Sequence, residues 1–305
     1  MDNSIFHEFT TISLIDVTGP DAVTIVNNLT TNAVKTLPEA GMSETFVTDV
    51  RGKTVGHVNL YRLPDRLRLL GASGQSESVA AHIDRYTIRE DATPAVRDED
   101  FIVFALSPAA GSSLAGLSGS GDSHAWSQPL IGGVRCDVYQ CQWWGPGTMA
   151  VAVPGDSVSA VRAVLSSQFT LVGEADFHRR RVECGFPWYG SDIEPSNLPQ
   201  EIDRDSAAIS FTKGCYLGQE TVARLDALGQ VQRKLVRWQI AGDVPAAGAI
   251  LVADDKQVGR LTSVAELETG EAIALGFARR SHFQTGASAR GADPATGREF
   301  VATVI

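Results

Sequence analysis

The sequence predicts an α+β fold with at least two sheets, followed by a small all-β domain. Three observations carry this. The chain has 305 residues, room for roughly two domains at about 150 residues each. Its first two thirds alternate short strand-like runs with single amphipathic helices. From Val231 onward, short apolar runs are separated by Gly242-Asp243, Pro245-Ala246-Ala247-Gly248, Asp254-Asp255-Lys256 and Gly270-Glu271, without an amphipathic helix. That pattern reads as barrel-like.

The elements follow in order. Thr18-Gly19-Pro20-Asp21 is read as a helix start, with Thr18 as N-cap, Pro20 in the first turn and Asp21 reaching back toward the cap. Ala22, Ile25, Val26 and Leu29 then form one apolar stripe. Strands are expected at 45–48, 55–61 and 67–70, with turns at Arg51-Gly52-Lys53 and Leu63-Pro64-Asp65. A second helix is expected over 76–86, burying Val79, Ile83 and Tyr86. Strands over 101–106, 134–143 and 148–153 precede a helix over 157–168 with Val158, Val161, Val164 and Leu165 inward. The Gly/Ser-rich stretch 111–123 reads as a flexible surface loop. No repeat occurs at solenoid or propeller spacing.

Composition narrows the function. With 43% apolar, 20% charged and 7% aromatic residues, the chain is neither disordered nor fibrous. A net charge of −10 and a pI near 5.1 have the wrong sign for extended nucleic-acid binding. Small anionic ligands stay open, because a local arginine cluster can sit in an acidic protein. The first residues lack the pattern of a signal or transit peptide, and no apolar run approaches the ~20 residues of a membrane span. Four cysteines, Cys136, Cys141, Cys184 and Cys215, make no C-x-x-C pair and are too few for a disulfide framework in a chain this long. A reducing cytoplasm is expected. Neither paired histidines nor H-E-x-x-H supports zinc, the cysteine spacing does not support a resident cluster, and no G-x-S-x-G, P-loop or G-x-G-x-x-G is present.

Two segments carry candidate chemistry. Phe177 to Gly185 reads as the end of a helix, with Gly185 in the left-handed position beyond it. Glu183 in its last turn opposes the helix dipole by about 0.3–1 kcal/mol, so a partner or a ligand is expected there. The following Phe186-Pro187-Trp188-Tyr189 either lines a pocket for a flat heterocycle or covers a core. The segment Thr212 to Arg224 is the densest polar constellation, combining the Cys215 thiol, the Lys213 cation and two glycines. If Cys215 opens a short helix, the helix N-terminus and Lys213 would favour its thiolate; otherwise it is a small buried hydrophobe.

At Lys213-Gly214-Cys215-Tyr216-Leu217-Gly218-Gln219-Glu220 the sequence resembles the YgfZ family of folate-binding proteins, relatives of the glycine-cleavage aminomethyltransferase (T-protein, GcvT-like). The resemblance extends to Leu14 through Asp21, Leu29-Thr30-Thr31-Asn32, Thr48 through Lys53, Arg181 through Pro187 and Val258 through Ser263, nearly the whole chain. It implies an aminomethyltransferase-like fold of two α/β sheet domains and a C-terminal β-barrel around a tetrahydrofolate pocket. The implied division is 1–98 with 179–229 returning to it, then 99–178, then 230–305. It also implies a role in assembling or repairing iron–sulfur enzymes, including tRNA-modifying ones, with iron–sulfur carrier or client proteins as partners and no stable nucleic-acid or membrane binding. Glu183 would bind the pterin, since an aminopyrimidine edge offers two parallel donors to a carboxylate. Arg224 or Arg233 would meet the folate tail, and Tyr216 and Gln219 would complete the cofactor-binding set. Cys215, polarised by Lys213, would be the working thiol. Where aminomethyltransferases place a catalytic aspartate, this chain has Gly56-His57. An ordinary aminomethyltransferase is therefore not expected; a one-carbon transferase or demethylase with His57 as base is the alternative, and a non-catalytic adaptor for cluster carriers is the third reading.

Overall fold

The structure, a computed structural model, describes residues 4–114, 125–229, 231–267 and 269–305. Two sheets pack face to face, and helices cover their outer faces. The first sheet has five antiparallel strands in the order Met42–Thr48, Thr54–Arg62, Leu67–Gly71, Ser13–Thr18, Thr93–Val96. Strand alternation divides its side chains. Ile15, Val17, Leu67 and Leu69 meet the helices Ala22–Leu29 and Ser76–Tyr86, whereas Leu14, Tyr61 and Leu70 join the core shared with the second sheet.

The second sheet runs Thr170–Val172, Ile5–Glu8, Phe101–Leu106, Thr148–Pro154, Asp137–Cys141, Trp126–Ser127. Its outer face packs against Val161 and Leu165 of the helix Val158–Gln168 and Ala110 of the helix Pro108–Ser113. Between the sheets, Arg68 is fully buried and donates to Asp16 at 2.6 and 2.7 Å, to Asp137 at 2.8 Å and to the Tyr139 hydroxyl at 2.8 Å. A charge at this depth is tolerated because its partners satisfy it.

The helix Glu174–Glu183 ends at Gly185, whose φ of +72° suits glycine. The chain then returns along the first sheet, where Thr31 Oγ1 donates to Ala208 O at 2.6 Å and Asn32 Nδ2 to Ala207 O at 2.8 Å. After the helix Gln219–Leu228, six strands close a barrel in the order Arg233–Gly242, Ala272–Arg279, Lys256–Glu266, Ile250–Ala253, Ser288–Ala292, Glu299–Val304. Trp238, Leu251, Leu261 and Phe300 fill its interior. Among the described residues, no helix is long and apolar enough to cross a membrane.

Several expectations are corrected. The residue preceding the first helix is Asp21, not Thr18, and it makes no side-chain cap bond. Gly19 holds a φ of +106°, and a Cβ there would lie 2.3 Å from Asp91 O, so this turn is set by close backbone approach. The strand expected over 134–143 divides into Val134–Arg135 and Asp137–Cys141. Residues 111–113 of the expected loop belong to the helix Pro108–Ser113, and 115–124 lie outside the described residues. The strand Ile5–Glu8 pairs with Phe101–Leu106 and Thr170–Val172, so the first residues contribute to the sheet of the second segment rather than to 1–98.

Candidate functional site

The loop 213–218 is held from three sides. Lys213 Nζ donates to the carbonyls of Asn27, Thr30 and Asn32 at 2.6, 2.6 and 2.8 Å, which uses all three of its protons. Burial pushes this ammonium down to about 7, while the three carbonyl oxygens favour its charged form. Leu217 N donates to Asn28 O at 2.8 Å, and Thr48 Oγ1 donates to Leu217 O at 2.7 Å. Gly218, at φ +80°, lies so close to the 49–52 turn that a Cβ would sit 2.4 Å from Asp49 O and 2.6 Å from Gly52 Cα. Asp49 Oδ1 pins that turn by accepting from Arg51 N and Lys53 N, each at 2.8 Å. The two glycine-bearing motifs thus interlock.

This frame presents Gly214 and Cys215 to solvent. The helix begins at Gln219, with Gly218 before it, so Cys215 does not open it. The expected polarisation of the thiol by Lys213 gives way to a positioning role, because the ammonium is occupied by backbone carbonyls. Tyr216 is buried among Phe46, Val182 and Ile209, its phenol pushed up to about 12 by burial, and its ring lies 5.0 Å from Lys213 Nζ. Gln219 is half-buried and Arg224 exposed. Of the other cysteines, Cys136 and Cys141 are buried with thiols pushed up to about 11 and about 12, and the exposed Cys184 is raised by partial burial and by Glu183.

The partner expected for Glu183 is Arg179, whose Nη1 donates to it at 2.8 Å. The Glu183 side chain is 32% exposed and lines none of the described cavities. The aromatic run after it covers a core and also lines a pocket: Phe186, Trp188 and Tyr189 meet Trp143, His57 and Asn59 around a space of about 10 Å³. That is near the minimum for one water. Behind the pocket lies a cluster that sequence reasoning missed. Buried Glu44 accepts from Arg204 Nε at 2.8 Å and again from Arg204 Nη2, and its Oε1 lies 2.9 Å from His57 Nε2. The Arg204 and His57 bonds overcome desolvation and hold the Glu44 carboxyl down to about 2. Arg204 also stacks on Phe186 at 5.2 Å. The available signal was an acidic residue inside the apolar strand Met42–Thr48, whose partner becomes visible only with register.

Arg233 lies apart from these groups. It donates to Glu201 at 3.0 Å and lines a cleft of about 870 Å³ between the barrel and residues 191–201. The structure therefore does not gather the expected site residues in one place: Cys215 and Lys213 share a loop, Glu183 ends a helix, and Arg233 borders the barrel cleft. Among the described residues, no group of three or more His, Cys, Asp or Glu is placed to hold a metal.

Two packed sheet units, a return segment and a closing barrel define an aminomethyltransferase-type fold. Over 99% of this chain, the structure superposes on the glycine cleavage system aminomethyltransferase T of Bartonella henselae with a TM-score of 0.86, covering 85% of that chain at 18% identity. Residues 2–213 match the GCVT N-terminal domain, and the chain belongs to that family. It is similar to the tRNA-modifying protein YgfZ of Edwardsiella ictaluri, 27% identical over 224 residues that cover 72% of this chain and 66% of that protein. It is also similar to the mitochondrial iron-sulfur cluster assembly factor IBA57 of Mus musculus, 25% identical over 260 residues that cover 77% of this chain and 66% of that protein.

Proposed function

We propose that the protein supports the assembly or repair of iron–sulfur enzymes, including tRNA-modifying ones, in a reducing cytoplasm, with Cys215 as its working thiol. The observation that carries this is an exposed cysteine on a loop immobilised by a three-carbonyl lysine anchor and a glycine interlock. So much fixed structure beneath one exposed thiol suits a group that must be presented to another protein. Phe211, 45% exposed, lies just before the loop, and Val50, 67% exposed, lies in the turn packed on Gly218. These apolar side chains suit docking of an iron–sulfur carrier or client. One thiol supplies one ligand, so the cluster is cargo whose other ligands come from that partner.

The test is the activity of [4Fe–4S] enzymes in cells lacking the gene, restored with wild type or Cys215→Ser at matched protein levels. Wild type is expected to restore activity and Cys215→Ser to fail while retaining its Tm. Equal restoration would remove the thiol role.

Tetrahydrofolate is proposed as the ligand of the aromatic pocket. The lining fits a reduced pterin in kind: Phe186, Trp188 and Tyr189 offer stacking faces. The Asn59 amide and His57 Nδ1 have no hydrogen-bond partner among the described residues. The pterin would bring nitrogens able to carry a one-carbon unit. About 10 Å³ does not hold it, so binding requires the rings to move apart. Titration with tetrahydrofolate is therefore expected to change tryptophan emission saturably in wild type and not in Trp188→Ala. An unchanged spectrum at all concentrations would reject the pocket.

One observation favours the one-carbon transferase or demethylase reading. With Glu44 accepting the Nε2 proton, His57 keeps Nδ1 as a base at the pocket wall. Turnover of a methylene donor, lost in His57→Gln, would select that reading.

A further inference from the structure

We propose that the cleft between the barrel and residues 191–201 binds a small polyanion, a phosphorylated or polycarboxylate molecule with at least two negative charges. The cleft contains neither Cys215 nor Glu183 and shares no lining residue with the aromatic pocket; its one link to the folate reading is Arg233, expected at the folate tail. Its volume of about 870 Å³ lies within the range of small-molecule sites.

Strand register gathers the charge. Arg233 pairs directly with Arg279, and Arg260 pairs with Phe277, which sits two residues before Arg279 on the same strand. Arg233, Arg260 and Arg279 thus stand on the same sheet face as Phe277, with the Arg233 guanidinium 4.9 Å from the ring centroid. Arg280 extends the group at the end of that strand. Like charges directly opposite across strands are destabilising, and a net charge of −10 does not lead one to expect four arginines here.

The carboxylates of the cleft do not cancel them. Asp192 is committed to Arg181 at 2.6 Å and to the hydroxyls of Thr262 and Ser263 at 2.5 and 2.7 Å. Glu201 is committed to Arg233 and, at 2.9 Å, to Asn197. Only Glu194 stays available to offset Arg260, Arg279 and Arg280, which are exposed and have no ion pair among the described residues. Guanidiniums in this arrangement offer paired N–H donors to carboxylate or phosphate oxygens. The limited volume of the cleft and the net charge of −10 favour a small anion over a nucleic-acid polymer.

The test is calorimetric titration of the full chain with inorganic tripolyphosphate and, separately, with citrate at constant ionic strength. One saturable site is expected for at least one of them, and the better ligand tells phosphate from carboxylate chemistry. The double variant Arg260→Ala/Arg279→Ala is expected to weaken binding about tenfold or more, with Tm not lowered, because both side chains are exposed and losing Arg279 relieves its repulsion with Arg233. The proposal is overturned if neither anion saturates, if the double variant binds as well as wild type, or if a single-stranded RNA oligonucleotide outcompetes both anions at this cleft.

Discussion

Glu44 shows how much one buried side chain holds in place. It is 5% exposed, yet stays ionised because Arg204 and His57 satisfy it. Its carboxyl is held at about 2, below its ordinary 4.5, so the stability it contributes is fully present above pH 4.5 and is lost as pH falls from there toward 2. Glu44→Gln keeps the shape but leaves Arg204 and His57 facing a neutral amide. The expected loss is about 3 kcal/mol at pH 7, the scale for breaking a buried ion pair from one side. Urea unfolding from pH 7 to pH 2 checks both parts. The variant should lose midpoint at pH 7 and should also lose the acid slope assigned to this carboxylate. A variant as stable as wild type at pH 7, or one with the same acid slope, would show that the cluster carries no such weight.

At the level of elements, the legible parts are those whose signal is local. The helix expected over 76–86 is the helix Ser76–Tyr86, because its apolar period and its ends lie within eleven residues. The C-terminal run of short strands is a closed barrel, announced by its turn residues. The strand Ile5–Glu8 was not legible, since it pairs with Thr170–Val172, 165 residues further along the chain, and nothing local specifies a partner so distant. The site divides the same way. The K-G-C-Y segment stands out as a string, but its physical meaning depends on distant backbone: Lys213 reaches the end of the first helix, and Gly218 meets the 49–52 turn. Glu44 and Arg204 were invisible because the pair joins a strand to a return loop 160 residues later.

Across the whole molecule, one buried bridge ties the barrel to the rest of the chain. Arg181, in the last turn of the helix Glu174–Glu183, donates to Asp192 at 2.6 Å and to Ser263 Oγ at 2.7 Å, and its Nε donates to His178 Nδ1 at 2.7 Å. Asp192 in turn accepts from Trp188 N at 3.0 Å and from Thr262 and Ser263 on the barrel strand Lys256–Glu266. Both charged side chains are almost fully buried, so their attraction offsets desolvation only while every partner is present. Asp192→Ala would strand the Arg181 guanidinium among these elements at a cost of about 3–5 kcal/mol. Because the lost bonds cross between barrel and sheet units, the damage should appear as reduced cooperativity as well as lower stability. Scanning calorimetry is expected to show one transition for wild type and two for Asp192→Ala, with the barrel separating from the sheets. The double variant Arg181→Leu/Asp192→Leu, which removes both charges, should recover part of the loss and bring the transitions together. A single transition in Asp192→Ala with a loss below about 1 kcal/mol would place the coupling instead in the apolar contacts between the helix Glu174–Glu183 and the barrel.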